Sequence, residues 1–201
     1  MALTPAIFLD KDGTLLHDVP HNVDPLRMEF AAGAREGLRR LGRLGYPLIV
    51  ISNQPGVALG LFEEDSLHQV GAQLSKMFEE AGAHLSSFYY CVHHPEGRLP
   101  QLRVRCSCRK PAPGLILNAA VRHGIDLSRS WFVGDILDDI EAGSRAGCET
   151  LLINNGNETV WHTGPYRQPH HVVETFEQAA LLIFERCVAL TSTPGATERV
   201  A

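Results

Sequence analysis

The sequence predicts an α/β domain with a mainly parallel sheet and helices on both faces. Three observations predict it. Short apolar runs alternate with segments of helical spacing along most of the chain, the order of a sheet wound with crossover helices. Within the runs the apolar residues are consecutive, as in strands covered on both faces. Three runs end in polar residues, Asp10, Ser52 and Asp135, and parallel sheets bind ligands off the C-terminal ends of their strands.

Ala6–Leu9 is apolar and ends at Asp10, so it reads as a buried strand that delivers a carboxylate to the sheet edge. Leu15–Gly33 is irregular, with Pro20, Asn22 and Pro25, and is long enough for a loop to point to function. Ala34–Leu44 places Leu38, Leu41 and Leu44 at helical spacing, and Gly45 ends it. Pro47–Ser52 reads as a second strand, followed by the polar turn Asn53-Gln54-Pro55-Gly56. Glu63–Ala83 reads as an amphipathic helix stopped near Gly82, and Ser87–Val92 as a third strand. His93–Lys110 is a second long irregular stretch. Pro113–His123 is a helix with proline in its first turn and Gly124 at its stop. Trp131–Gly134 is a fourth strand, Asp138–Ala146 a short helix closed by Gly147, and Thr150–Ile153 a fifth strand. Residues 154–170 read as loop and His171–Val173 as a short strand. Phe176–Cys187 is the last helix, with Thr175 and Gln178 as its capping box. One domain is expected over residues 1–188, with 189–201, rich in Pro, Gly, Ser and Thr, as a frayed tail.

A chain of 201 residues suits one compact domain. A net charge of −5 gives no basic footprint for nucleic acid. No apolar run approaches the ~18 residues of a membrane span, and Met-Ala-Leu-Thr-Pro lacks the charged start of a secretory leader. The expectation is a cytoplasmic monomer with no membrane or nucleic-acid partner. Of five cysteines, three fall between Cys91 and Cys108. An odd, clustered set argues for a metal site in a reducing compartment over a disulfide framework.

The chemistry centres on Asp10 and Asp12. Two apart in extended backbone, their side chains project to one side. Neighbouring carboxylates repel unless a cation lies between them or one keeps a proton. The pair therefore asks for Mg²⁺, an acid/base role, or both, although a strand ending in an Asp-Gly turn reads the same way. Ser52, Asn53 and Gln54 offer a hydroxyl and turn amides that suit a phosphate oxygen. Arg109 and Lys110 supply cations that neutralise one. Asp135, Asp138 and Asp139 add carboxylates. Each has a plainer alternative: Ser52 as a turn cap, Arg109-Lys110 as a solvated pair, Asp138-Asp139 as an acidic helix start. Their common place at strand ends favours a site.

Cys91-x-His93 and Cys106-x-Cys108 form a second constellation. Alternate positions on an extended segment face one way, so each half presents two ligands. Three cysteines and a histidine make the closed tetrahedral set of structural Zn²⁺. The alternative is three buried thiols and a surface histidine. His94 is a possible substitute for His93, but the i, i+2 spacing favours His93. Cys148 and Cys187 read as packed thiols.

Phe-Leu-Asp-Lys-Asp-Gly-Thr resembles the first motif of the haloacid dehalogenase superfamily. Ser52, Lys110 and Gly134-Asp135-x-x-x-Asp139 resemble its second, third and fourth motifs, in order, and the likeness runs from Ile7 to Leu152. It implies a Rossmann-like sheet with Asp10 on the central strand, a minimal cap, and attack of Asp10 on phosphorus to form an aspartyl-phosphate. Asp12 would be the general acid and base. Mg²⁺ would be held by the Asp10 and Asp135 carboxylates and the Asp12 carbonyl. Ser52 and Lys110 would stabilise the phosphoryl oxygens, and Asp139 would orient Lys110 or the metal shell.

Tyr-Cys-Val-His-His-Pro-Glu-Gly and Cys-x-Cys-Arg-Lys-Pro-x-Pro-Gly are similar to the branch holding heptose bisphosphate phosphatases and histidinol-phosphate phosphatases. That likeness implies a zinc-bound loop over 91–110 and a small phosphorylated sugar as substrate, first of all D-glycero-D-manno-heptose 1,7-bisphosphate losing its 7-phosphate. Asp18, Asn53, Gln54 and Arg109 would contact it. A histidinol-phosphate or other small monophosphate phosphatase is the alternative enzyme. A binding protein on a retired phosphatase scaffold is the alternative outside enzymes, and the intact motif set argues against it. The heptose enzymes usually carry Gly-Tyr where this chain has Pro20-His21. They have Asn, Arg and Lys where it has Leu16, Leu59 and Ile136. These departures spare the phosphoryl-transfer set and fall on substrate recognition.

Overall fold

Six strands form one sheet in the computed structural model, which describes residues 3–192. They are β1 (Ile7–Leu9), β2 (Leu48–Asn53), β3 (Leu85–Cys91), β4 (Trp131–Gly134), β5 (Glu149–Ile153) and β6 (His171–Val173). Their order across the sheet is β3-β2-β1-β4-β5-β6. Every neighbouring pair is parallel, so the sheet is wholly rather than mainly parallel. The winding runs outward from β1 through β2 to β3, then restarts on the other side with β4. The crevice at such a reversal is where parallel sheets hold ligands, and Asp10 stands there, one residue past the end of β1.

Five helices cover both faces: α1 (Ala34–Leu41), α2 (Ser66–Glu80), α3 (Gly114–His123), α4 (Leu137–Ala146) and α5 (Phe176–Ser192). Side chains alternate across each strand. Ile7, Leu9, Leu48, Val50, Trp131 and Val133 therefore enter one core with Leu38 of α1, Leu74 of α2 and Ile183 of α5. Phe8, Ile49, Ile51 and Phe132 enter the other with Ile116 of α3 and Ala142 of α4. Two dry faces explain why the strands read as unbroken apolar runs. Burial of each such side chain contributes roughly 1.5–3 kcal/mol, enough to fix the register that sets the strand ends.

The differences from expectation lie at the ends of elements. α1 stops at Leu41, and a 3-10 turn, Gly42–Leu44, completes the expected helix before Gly45 turns the chain at φ +69°. α2 begins at Ser66, because Glu63–Asp65 form a turn instead of helix. At the start of α5, the Thr175 hydroxyl accepts from the Gln178 amide at 3.3 Å, while the Gln178 side chain reaches back to Glu174 N, not to Thr175. α5 continues past Cys187 to Ser192, so the domain end expected at residue 188 falls inside a helix. Residues 193–201 of the expected tail lie outside the described residues. Among those described, no helix is long and apolar enough to cross a membrane.

Candidate active site

β1 brings Asp10 to the sheet edge. Its amide donates to Val133 O at 2.9 Å, which extends the β1–β4 ladder by one residue. The chain then turns sharply. Leu15 N and Leu16 N both donate to Lys11 O, Gly13 N donates to Leu16 O, and Gly13 takes φ +82°. Strand alternation therefore does not relate Asp10 to Asp12. The Asp12 carboxylate meets Lys11 Nζ at 2.5 Å and Gln54 Nε2 at 3.2 Å, while the acid that clusters with Asp10 comes from β4 and α4. Asp12 thus lies past the end of β1, bridged to Leu16, and close enough to Asp10 for its charge to act there.

β2 and β3 bring in Lys110. Asn53 pairs with Cys91 at the end of the two strands, and Gln54 N donates to Cys91 O at 2.7 Å. The Asn53 side chain then continues the ladder: its Nδ2 donates to Lys110 O at 3.1 Å and its Oδ1 accepts from Lys110 N at 3.0 Å. The Asn53 side chain thus holds the Lys110 backbone. The Lys110 ammonium donates to Asp10 Oδ1 and to Ile51 O at 3.1 Å, and forms an ion pair with Asp139 Oδ1 across 2.6 Å. Gln54 Nε2 also donates to Ser52 Oγ at 2.8 Å, so Gln54 links Ser52 to Asp12.

β4 supplies the remaining acids. Asp135 Oδ1 accepts from Thr14 Oγ1 and its Oδ2 from Asn157 Nδ2, both at 2.8 Å. Asp139, on the first turn of α4, accepts from Asp135 N and Ile136 N through Oδ2 and faces Lys110 with Oδ1. Gly134 leaves no room for a side chain, since a Cβ there would lie 2.3 Å from Asp139 Cβ. One carboxylate oxygen each from Asp10, Asp135 and Asp139 lies within 4.8 Å of the others.

The electrostatics follow from this crowding. Burial works against the Lys110 charge, but Asp10 and Asp139 outweigh it and hold the amine protonated well above its usual range. Burial, with Asp10 beside it, pushes Asp135 up to about 7 and Asp139 up to about 8. Burial also raises Asp12, with Lys11 opposing. Four carboxylates face two ammonium groups, so the ionised site lacks two positive charges. That is the charge of one divalent cation, and an all-oxygen donor set suits a hard one such as Mg²⁺.

The cysteine cluster lies next to this site. Cys91, His93, Cys106 and Cys108 place one ligand atom each within 4.8 Å of the others. Sulfur–sulfur separations are 3.1–3.5 Å, and His93 Nδ1 lies 3.3 Å from Cys108 Sγ. All five cysteines are free thiols. A Zn–S bond of ~2.3 Å puts tetrahedral ligands ~3.8 Å apart, close to the spacing found. His94 points elsewhere, its Nδ1 accepting from Glu96 N. Cys148 and Cys187 are buried, as expected of packed thiols.

Arg109 and Arg105 line a hollow beside Lys110 together with Asp138 and Arg145. Arg109 Nη1 is buried and has no hydrogen-bond partner among the described residues. Asp18 is exposed, near enough to Asp12 for its charge to act there. The structure adds Lys11, Thr14, Asn155 and Asn157 to the residues singled out in the sequence. Asn155 and Asn157 come from the loop after β5, which carries no periodic pattern; their only sequence signal is a run of turn-forming Asn and Gly.

Comparison with known proteins gives this geometry a family. A model of the HAD-hydrolase-like family matches residues 107–179. The D-glycero-beta-D-manno-heptose-1,7-bisphosphate 7-phosphatase of Photorhabdus laumondii is 36% identical over 155 residues, 76% of this chain and 81% of the relative. That of Pasteurella multocida is 35% identical over 180 residues, 89% of this chain and 96% of the relative. A solved D,D-heptose 1,7-bisphosphate phosphatase from B. bronchiseptica, complexed with magnesium and phosphate, superposes with a TM-score of 0.77 at 28% identity, covering 91% of this chain and 99% of that one. The fold and the acids at its switch point are those of a haloacid dehalogenase-like phosphatase. Within that class, the chain belongs to the family of the D-glycero-beta-D-manno-heptose-1,7-bisphosphate 7-phosphatases.

Proposed function

We propose that the chain removes the 7-phosphate of D-glycero-D-manno-heptose 1,7-bisphosphate, with Mg²⁺, through an aspartyl-phosphate on Asp10. The observation that carries the reading is the two-charge deficit at the sheet edge, set around a lysine that touches both Asp10 and Asp139. The Asp10 and Asp135 carboxylates and the Asp12 carbonyl would hold the ion. Its charge shields an anionic nucleophile from an anionic substrate.

Asp10, beside the Lys110 ammonium, attacks phosphorus and forms an acyl phosphate. The bond to the sugar oxygen breaks as Asp12 gives that oxygen its proton. Asp12 then takes a proton from water, and the hydroxide formed attacks the acyl phosphate and releases phosphate and free Asp10. Lys110 and the Ser52 hydroxyl stabilise the phosphoryl oxygens. Asp139 positions Lys110. Asp18, Gln54 and Arg109 contact the sugar side, whereas the bonds from Asn53 to Lys110 favour a positioning role for that residue.

Zn²⁺ on Cys91, His93, Cys106 and Cys108 ties the ends of the loop, and Arg109 and Lys110 follow the last ligand directly. The loops before α1 and before α3 are then the whole cap. The reading keeps a cytoplasmic monomer without membrane or nucleic-acid partners, for which the clustered cysteines and the net charge of −5 are the support. The alternative of a histidinol-phosphate or other monophosphate phosphatase is favoured by one observation, Ile136 where the heptose enzymes have lysine.

The test is phosphate release from a panel of sugar mono- and bisphosphates and histidinol phosphate, with and without Mg²⁺. The expected outcome is Mg²⁺-dependent release, fastest on the heptose bisphosphate. Asp10→Asn should abolish turnover and Asp12→Asn should lower kcat by ~10²–10⁴-fold. Steady turnover by Asp10→Asn, or no turnover of any phosphomonoester by the wild type, would refute the reading.

A further inference from the structure

The loop after β5 enters the site at a point that no catalytic motif assigns. Asn155 Nδ2 donates to Gly13 O at 2.7 Å, and Asn155 Oδ1 accepts from Asn157 N at 3.1 Å. Between them Gly156 takes φ +92°, a left-handed turn. Asn157 Nδ2 then reaches Asp135 Oδ2 at 2.8 Å. The next residue, Glu158, accepts from Leu137 N at 2.9 Å, at the start of α4. Further along, Arg167 fastens the loop to α4 through Asp138 at 2.9 Å and Glu141 at 2.7 Å. The packing is close: a Cβ on Gly13 would lie 2.1 Å from Asp135 Oδ2 and 2.5 Å from Asn157 Nδ2.

From this geometry we propose that Asn157, set by Asn155, is a positioning residue for the divalent cation, acting through Asp135. The inference rests on the reading of Asp10 and Asp135 as the Mg²⁺ seat. A carboxylate free to turn about its last bond presents its lone pairs in many directions. Thr14 on one oxygen and Asn157 on the other fix the plane of Asp135, and each oxygen keeps a lone pair for the ion. Without Asn157 the carboxylate is held from one side only, and its orientation must be ordered when the ion binds. Outer partners of metal ligands typically contribute 10–100-fold in affinity.

The experiment is calorimetric titration of the purified protein with Mg²⁺, in the wild type, Asn157→Ala and Asn157→Leu. Thermal melting of the metal-free proteins and kcat at saturating Mg²⁺ are measured alongside. The Mg²⁺ Kd is expected to rise ~10–100-fold in both variants, with kcat largely recovered at saturation and the metal-free melting temperature little changed. Leucine keeps the volume but not the donor, so it should behave as alanine does. Wild-type binding with the same Kd in both variants would overturn the proposal alone. So would a Kd restored by leucine, which would make Asn157 a space-filler, or a fall in metal-free melting temperature without a change in Kd. A wild type that binds no Mg²⁺ would overturn the seat itself and this proposal with it.

Discussion

Lys11 shows what a single residue does here that the sequence does not announce. Between Asp10 and Asp12 it reads as a spacer, and strand alternation would turn it away from both. The turn at Gly13 instead buries it and sets its amine 2.5 Å from Asp12. Alternation holds only while the chain is extended, and β1 ends at Leu9. Lys11 also has a consequence for pH. Burial raises the Asp12 pKa and Lys11 lowers it. In the proposed role of general acid, Asp12 must be protonated to serve the leaving oxygen, so kcat/KM is expected to fall as pH rises through its pKa. Lys11→Met removes the opposing cation and lets burial act alone. The expected outcome is an alkaline limb of kcat/KM moved to higher pH, measured on a generic aryl phosphate. An unmoved limb would separate Lys11 from the titration of Asp12.

Among the elements, the strands were the most legible part of the chain, because burial on both faces leaves a continuous apolar run. Helix ends were less so. The first turn of α2 is polar whichever structure it takes, and α5 runs on through residues whose composition suits a tail. The loops divide in an instructive way. The stretch from Cys91 to Cys108 revealed its site because four ligands at i, i+2 spacing form a chemical pattern. The loop 154–170 did not, because Asn157 meets Asp135 by a turn that periodicity does not encode. The cysteine cluster also carries a prediction at this scale. Elemental analysis should find about one zinc per chain. Stripping it with a chelator should free the end of the loop and displace Lys110, with kcat falling ~10²-fold, the usual cost of losing one transition-state donor. The far-UV circular dichroism should persist, since the loop adds only a few side chains, such as Leu102, Cys106 and Cys108, to the margins of the two sheet cores. Full activity in verified metal-free protein would refute the role given to zinc.

Over the whole molecule, alternating strands and helices announced the fold class, while the strand order that seats Asp135 beside Asp10 is a property of the packed sheet. The motif order supplied what periodicity did not. Neither says how the far end of a bisphosphate is held, and here the arrangement of cations decides. The resemblance to the heptose enzymes implies Arg and Lys where this chain has Leu59 and Ile136. Of the other arginines near the loop, Arg103 donates to Gly97 O at 2.5 Å, and Arg145 pairs with Glu141 at 2.6 Å. Of the cations that line the hollow beside Lys110, Arg105 and Arg109 are the two not paired with an acid among the described residues, and Arg98 is exposed outside it. Two cations there make a weaker seat for a second phosphate than the set the family usually carries. Losing one charge-assisted hydrogen bond costs ~1.5–3 kcal/mol, about tenfold to a hundredfold in affinity. The chain should therefore prefer a bisphosphate over the matching monophosphate less strongly than its heptose relatives do. Arg105→Ala should lower kcat/KM for the bisphosphate alone, and Ile136→Lys should raise it by about tenfold to a hundredfold, with the monophosphate unchanged in both. Equal effects on the two substrates would place the distal phosphate elsewhere, and a wild-type preference above roughly ten-thousandfold, more than two such bonds supply, would show that the seat lacks nothing.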